Sequence, residues 1–351
     1  MVLRNACFRY KVPRMATIKD VAARAGVSTA TVSRILADPN VCLPATRMKV
    51  LAAVDELDYA PNFAAKSLRT TRSSKIVVTV PDVSNPFFSL VLRGIQNVAQ
   101  PAGYAVLVGD THLDPVREEA YGDMLLRKEA DGLIFLGHKL PPSLNRLVQS
   151  KEGRAPIVNG GEFDSPVEIS SAHIDNAQAA SDMFDHLAGL GHRQIAVIAG
   201  PLTSPASRER VSGVRRAVIK HDLQDTVSIH HTQFSIEAGE AAARSILAEP
   251  DHPTALLCLS DEQAFGVLAT LRELGLKCPD NISVTGFDDT RYARVSLPAL
   301  TSIHQPMIEL GEEMVRLLLG IIKGTITNPR SVTLKHAIVV RHSTAPAKGE
   351  R

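Results

Sequence analysis

The sequence predicts a small all-α helix-turn-helix head followed by an α/β core of two Rossmann-like subdomains. Three observations carry this. Residues 17–36, TIKDVAARAGVSTATVSRIL, hold two short helical patterns parted by a glycine. From Lys75 onward, short β-branched runs alternate with helical patterns. These alternations are too many for one five-stranded sheet, so two sheets are the economical solution.

The head comes first. Thr17 can cap a helix, because its hydroxyl can accept an unpaired N–H of the first turn. Ile18 to Ala25 then runs without a breaker, and Gly26 follows where a helix end favours positive φ. Ser28 can cap a second helix, Thr29 to Leu36. Val21, Ala25, Val27, Val32 and Ile35 give each helix one apolar stripe, and the stripes can face each other. Ala22 and Gly26 are small where the helices would cross. Thr29, Ala30, Ser33 and Arg34 are left pointing outward near the N-terminus of the second helix, where a recognition helix reads base edges. A hairpin that merely packs on something would not need cap, glycine turn and polar outer face together.

Asp38-Pro39-Asn40 reads as a turn, and Pro44 fits the first turn of a third helix running through Tyr59. Val50, Val54 and Leu57 give that helix one apolar face. Tyr59-Ala60-Pro61-Asn62 breaks the pattern. Phe63 to Arg69, FAAKSLR, is amphipathic but too short to be stable alone. Residues 70–74 read as a linker.

In the core, β runs are expected at Ile76–Val80, Ala105–Gly109, Gly132–Leu136, Ile195–Ile198, Ala255–Leu259 and Ile282–Gly286. Helices are expected at Phe87–Ala99, Ala177–Leu190, Ile236–Ala248 and Asp261–Leu274. Ligands of such folds bind outside the carboxyl ends of the strands. After the first run come Asn85, Phe87 and Phe88, in a chain with only 4% aromatic residues. After Ile195–Ile198 comes a loop ending in Arg208-Glu209-Arg210, and after Ile282–Gly286 comes Phe287-Asp288-Asp289. Aromatic faces with convergent Asn, Arg and Asp suit a small polyhydroxylated ligand. Taken singly, each has an ordinary reading: Asp288 as a helix cap, Phe87 as core, Arg210 in a surface ion pair. Their shared address at strand ends favours the site.

Bulk properties narrow the class. The chain of 351 residues, 44% hydrophobic, can build two or three domains around a large core. A net charge of +2 selects no partner by itself. Between Met15 and Arg72, eight Lys and Arg stand against five Asp and Glu, a modest excess suited to phosphate contacts. Cys7, Cys42, Cys258 and Cys278 lie far apart without CxxC, which gives no zinc spacing or disulfide framework and fits a reducing cytoplasm. No apolar run approaches the ~18 residues of a membrane helix, so no membrane partner is expected. Residues 1–14 are basic without the apolar stretch of a signal peptide, and read as a disordered extension or an upstream stretch before a start at Met15. GxGxxG, Walker A, HExxH and GxSxG are absent, so no catalytic residue, metal or cofactor is assigned. His230-His231 reads as a solvated strand end, and Gly191-His192-Arg193 as a structural turn.

TIKDVAARAGVSTATVSRIL, YAPNFAAKSLR, VPDVSNPFF, DGLIFLG, HIDN, GHRQIAVIAGP and SVTGFDD succeed one another at familiar distances. In these the chain resembles the lactose-repressor (LacI/GalR) family of bacterial transcription regulators, from Met15 to about Ser343. Within it the chain is most similar to the cytidine repressors and next to the purine repressors, by Glu162-Phe163, the Phe234-containing strand end and HIDN. The resemblance implies a head that binds a pseudo-palindromic operator as a homodimer. FAAKSLR would be a hinge helix that folds on DNA, with Leu68 wedged into the minor groove. The implied DNA contacts are Thr17, Ser28, Thr29, Ala30, Thr31, Ser33, Arg34, Asn62, Lys66, Leu68 and Arg69. The core would be periplasmic-binding-protein-like, closing on an effector held by Asn85, Phe87, Phe88, Glu162, Arg210, Phe234, Ser260 and Asp288. Ser260 stands where sugar-binding members often carry Asn, and Leu43 where relatives have a capping Ser.

The expected division is 1–14 extension, 15–62 head, 63–74 hinge helix and linker, 75–343 core and 344–351 flexible tail. Within the core, one subdomain takes about 75–173 and 304–334, the other about 174–303 and 335–343. Phe88 and Phe234 could sandwich a ring while Arg210 and Asp288 bind hydroxyls, which ranks nucleoside first, monosaccharide second and free purine third. The expected function is an effector-responsive repressor of the cytoplasm, not an enzyme. A transport solute-binding protein would leave the head unexplained, and a nucleoside- or sugar-acting enzyme would lack its motifs.

Overall fold

The computed structural model describes residues 16–60, 72–151, 154–160, 163–164 and 168–347. The chain divides into two units, Met1–Thr71 and Arg72–Arg351.

The first unit holds α1 (Ile18–Ala25), α2 (Thr29–Ala37) and α3 (Pro44–Glu56), with a 3-10 turn at Pro39–Val41. Thr17 and Asp20 form a reciprocal capping box, and Gly26 closes α1 at φ 66°. The Ser28 hydroxyl accepts from the Thr31 N–H at 3.1 Å. Val21, Val32, Ile35 and Val50 are fully buried between the three helices. Such a core is small, so the caps carry a visible share of its stability. Thr17→Ala is expected to cost the head about 1 kcal/mol. Amide hydrogen exchange of α1 in the full chain would show it as a roughly fivefold loss of protection.

The third helix is shorter than expected. It ends at Glu56, because Asp58 turns left-handed (φ 44°) and the Tyr59 N–H bonds the Val54 carbonyl. That reversal folds Leu57 and Tyr59 back onto the head core. Leu43 makes no side-chain cap bond.

The second unit holds two six-stranded sheets. Strands β1 (Lys75–Val80), β2 (Ala105–Asp110), β3 (Gly132–Phe135), β4 (Ile157–Asn159), β5 (Ser170–Ile174) and β11 (Ser331–Leu334) form the first, in the order β11-β5-β4-β3-β1-β2. Strands β6 (Ile195–Ala199), β7 (Val227–His231), β8 (Ala255–Cys258), β9 (Ser283–Asp288), β10 (Thr301–His304) and β12 (Ala337–Val339) form the second, in the order β12-β10-β9-β8-β6-β7. All pairings are parallel except β10 with β12. The register sets Val78 beside Val108 and Ile134.

Parallel strands are covered on both faces, so their sequences are continuous apolar runs rather than alternating ones. Alternate residues still part to opposite faces. Ile76, Val78 and Ile134 join one cluster, while Val77, Leu133 and Phe135 join another. In the second sheet Ile195 and Val197 go one way, Ala196 and Ile198 the other.

The covering helices are α4 (Pro86–Ala99), α5 (Pro115–Leu126), α6 (Pro142–Ser150) and α11 (Met307–Lys323) for the first sheet. For the second they are α7 (Asn176–Gly189), α8 (Pro205–Lys220), α9 (Ile236–Leu247) and α10 (Asp261–Glu273). Three helix pairs cross at glycines. A Cβ on Gly94 of α4 would overlap the Ile308 carbonyl of α11, and one on Gly311 the Val91 carbonyl. Gly213 of α8 meets the Ala177 carbonyl of α7 in the same way, and Gly239 of α9 the Gln263 carbonyl of α10.

The chain passes between the sheets three times: after β5, between β10 and α11, and between β11 and β12. The expected flexible tail is held as far as Ala347. His192 donates to the Ala345 carbonyl at 3.1 Å, and the Ala347 N–H bonds the Leu190 carbonyl at 2.9 Å. The turn around His192 is structural as expected, since the same ring also bonds Thr254 and Ser283. Among the described residues no helix is long and apolar enough to cross a membrane.

Candidate functional site

The first candidate surface lies on α2. Its buried positions Val32 and Ile35 fix the orientation of the helix in the head. Thr29, Ala30 and Arg34 are then exposed and Ser33 is half-buried. Thr31 is half-buried, its hydroxyl 2.9 Å from that of Ser28. Thr17 and Ser28 are occupied as helix caps. Asn62, Lys66, Leu68, Arg69 and the hinge segment lie outside the described residues, as does Glu162 of the expected pocket.

The second candidate is a cavity of about 280 Å³ in the core. Its place follows from topology. In the first sheet the chain steps from β1 outward to β2, then returns to β3 on the other side of β1. In the second it does the same around β6, with β7 and β8. The crevice at such a switch point opens beyond the carboxyl ends of the strands. The first sheet contributes Asp82, Asn85, Phe87, Phe88, His112 and His138 to the lining; the second contributes Arg210, Gln233, Phe234, Ser260 and Asp288. A chamber of about 30 Å³, lined by Phe87, Phe88, Arg210, Gln305 and Met314, adjoins it.

Asn85 caps α4 by accepting from the Phe87 N–H at 2.9 Å, which fixes where the two rings start. Phe87 and Phe88 stand edge to face, 5.1 Å between centroids. Phe234 lies in the loop before α9 and packs against Gly200, where any Cβ would overlap its ring. Ser260 caps α10, accepting from the Gln263 N–H at 3.2 Å.

Arg210 sits on α8 rather than in a loop, because Ser204 caps that helix at Pro205. Its guanidinium does not project freely as a donor fork. Nε donates to Asn176 Oδ1 at 2.9 Å and Nη1 to the Leu259 carbonyl at 2.7 Å. The group stacks 3.8 Å above the Phe287 ring, and Phe234 lies 5.7 Å away. Arg210 is thus a scaffold as well as a surface.

Asp288 ends β9 with φ 116°, a conformation costly for any side-chain-bearing residue. It is no helix cap. Gln305 donates to its Oδ1 at 2.7 Å, and Arg210 Nη1 lies 3.9 Å from the same oxygen. Surrounding bonds hold the strained loop. Asp261, fully buried, accepts from the Thr290 N–H and hydroxyl and from the Ser302 hydroxyl. Burial pushes the Asp261 carboxyl up, and those donors oppose it. Asp289 is paired with Arg341 and His304.

Burial raises the Glu262 carboxyl, and Asp82 from the first sheet and Glu237 from the second raise it further. Beneath His138, burial pushes Glu118 up to about 7, against the pull of that imidazole.

Sequence reasoning passed over Asp82, His112, His138 and Gln233. For Asp82, His112 and His138 the signal was present, since each follows an expected run; Gln233 follows β7, which no apolar run marks.

Comparison with known proteins finds relatives for both the head and the core. Residues 17–62 match the family described as bacterial regulatory proteins, lacI family, and residues 184–344 match the periplasmic binding protein-like domain. The HTH-type transcriptional repressor CytR of Escherichia coli (strain K12) is 37% identical over 330 residues, 94% of this chain and 96% of that one. The crystal structure of the Lac repressor dimer bound to operator and the anti-inducer ONPF superposes with TM-score 0.83 and 28% identity, covering 95% of this chain and 100% of that one. A LacI family transcriptional regulator from Enterococcus faecium with bound ribose superposes at TM-score 0.69 and 27% identity, covering 78% and 100%. The relatives along nearly the whole chain are transcriptional regulators rather than enzymes. By this likeness along nearly its whole length, the chain belongs to the LacI family of bacterial regulatory proteins, DNA-binding regulators modulated by an effector.

Proposed function

We propose that the protein is a cytoplasmic repressor that binds a pseudo-palindromic operator as a homodimer and responds to a nucleoside held in the core cleft. The observation that carries the ligand class is the meeting of Phe88 and Phe234, from opposite sheets, at a cavity that also holds the Asp288 carboxylate. Flat apolar faces suit a base, and a carboxylate acceptor suits ribose hydroxyls. The carboxylates of Asp82 and Asp288 both line the cavity, which disfavours a phosphorylated ligand. A monosaccharide is the second reading, favoured by the relative with bound ribose; a free purine ranks third.

The working division keeps residues 15–62 as head, 63–74 as hinge and linker, and 75–343 as core. Thermal shift with nucleosides, nucleoside monophosphates, monosaccharides and purine bases tests the ligand class. A nucleoside should raise the midpoint most. A larger shift from a monosaccharide or a monophosphate would refute the reading.

Arg34 is the long cationic side chain on the exposed face of α2. Its fork matches the O6/N7 edge of guanine. Arg34→Ala should cost ~1–3 kcal/mol at one G·C pair per half-site and relax preference there. If a series of base-substituted operators loses affinity uniformly, Arg34 contacts phosphate instead.

A further inference from the structure

Gln263 is fully buried in the first turn of α10, yet it is polar and does not line the cavity. Its Nε2 donates to the Ala199 carbonyl at 3.1 Å and to the Gln233 carbonyl at 3.0 Å. Two carbonyl acceptors on one amide group fix its orientation, because a flipped amide would set oxygen against oxygen. Its Oε1 is buried with no hydrogen-bond partner among the described residues. An isosteric Met would fill the same space without burying that oxygen, so the fold carries a cost here.

The two carbonyls belong to particular residues. Ala199 ends β6 and immediately precedes Gly200. Gln233 immediately precedes Phe234. Gly200 and Phe234 are the pair in which ring and backbone meet so closely that no Cβ fits. One amide therefore ties the two loops at the residues just before their contact. The backbone of Gln263 is itself pressed against Gly239 of the neighbouring helix, so the amide starts from a fixed point.

We infer that Gln263 is a positioning residue for ligand selectivity: it clasps the Ala199 and Gln233 carbonyls together and so sets the Phe234 ring in the cleft. This rests on the reading of the cleft as the effector site. A ligand that stacks on Phe234 depends on the clasp, whereas a ligand that uses only the carboxylate side does not. Gln263 thereby tunes preference for a ring-bearing ligand over a bare sugar without touching either.

Calorimetric titration of the full-length protein with cytidine, adenosine and ribose tests this. Gln263→Met removes both donors at nearly constant volume, and Gln263→Glu retains at most one. Nucleoside affinity should fall about tenfold in Gln263→Met and less in Gln263→Glu, with ribose affinity within about twofold of wild type. Phe234→Ala should lower nucleoside affinity similarly, and adding Gln263→Met to it should lower it no further. Equal losses for ribose and nucleosides would mark Gln263 as merely structural and overturn the inference. So would additive losses in the double variant, or wild-type nucleoside affinity in both single Gln263 variants. A wild type that binds none of the three probes overturns the cleft reading and the inference with it. Binding by the wild type separates the two failures: where it binds, only the inference can fall.

Discussion

Asp288→Ala yields a regulator that still binds its operator but no longer responds to effector. Couplings of this kind are typically ~1–3 kcal/mol, a ~5–150-fold change in operator affinity, and in the variant the ratio should fall to about one. In the proposed site the carboxylate accepts from the ligand, and a ligand can shift an equilibrium only by its differential affinity for the two states. Removing it also strips an acceptor from Gln305 and the carboxylate 3.9 Å from Arg210. Asp288→Gly separates binding from strain, because glycine adopts φ 116° without the penalty. It should be equally deaf and no less stable than Asp288→Ala. Operator affinity with and without nucleoside checks both. A normal response in either removes Asp288 from the effector site.

Gly94→Val should destabilise the core by about 3 kcal/mol or more. Its new Cβ would overlap the Ile308 carbonyl, and backbone inside a packed helix pair cannot step aside as a side-chain tip can. Gly189→Ala is the contrasting case. Nothing lies within 4 Å of its would-be Cβ and its φ is not positive, so helix propensity alone should stabilise by ~0.4–1 kcal/mol. Urea unfolding of both variants checks the pair. Near-equal stabilities would mean that the α4–α11 crossing is far looser than the structure shows.

What could be read from sequence divides along physical lines. Strands β1, β3, β6, β8 and β9 are sandwiched between helices, so they announce themselves as apolar runs. Edge strands β7 and β11 and the three-residue β4 and β12 carry no such mark: Val227–His231 ends in two histidines, and Ser331–Leu334 alternates exposed and half-buried. Helix α8 interrupts its apolar stripe with arginines that serve the cleft and the surface. Of the cleft, seven expected residues line one cavity: Asn85, Phe87, Phe88, Arg210, Phe234, Ser260 and Asp288. The internal commitments of Arg210 were not legible, since the Leu259 carbonyl and Asn176 lie 49 and 34 residues away in the chain. Gln263 left no trace either, because a polar residue in a helix reads as solvent-facing until its neighbours are known.

The three passages between the sheets leave from one side. β5 and β11 are neighbours at the edge of the first sheet, and β10 and β12 at the edge of the second. A single strap would let one half swivel on the other. Three straps abreast behave like a door hung on several hinge pins: torsion and sideways slip stretch at least one of them, while bending about the common line strains none. The ligand's grip across the cleft is then channelled into one angular coordinate, and little of it dissipates as loose rattling of the halves.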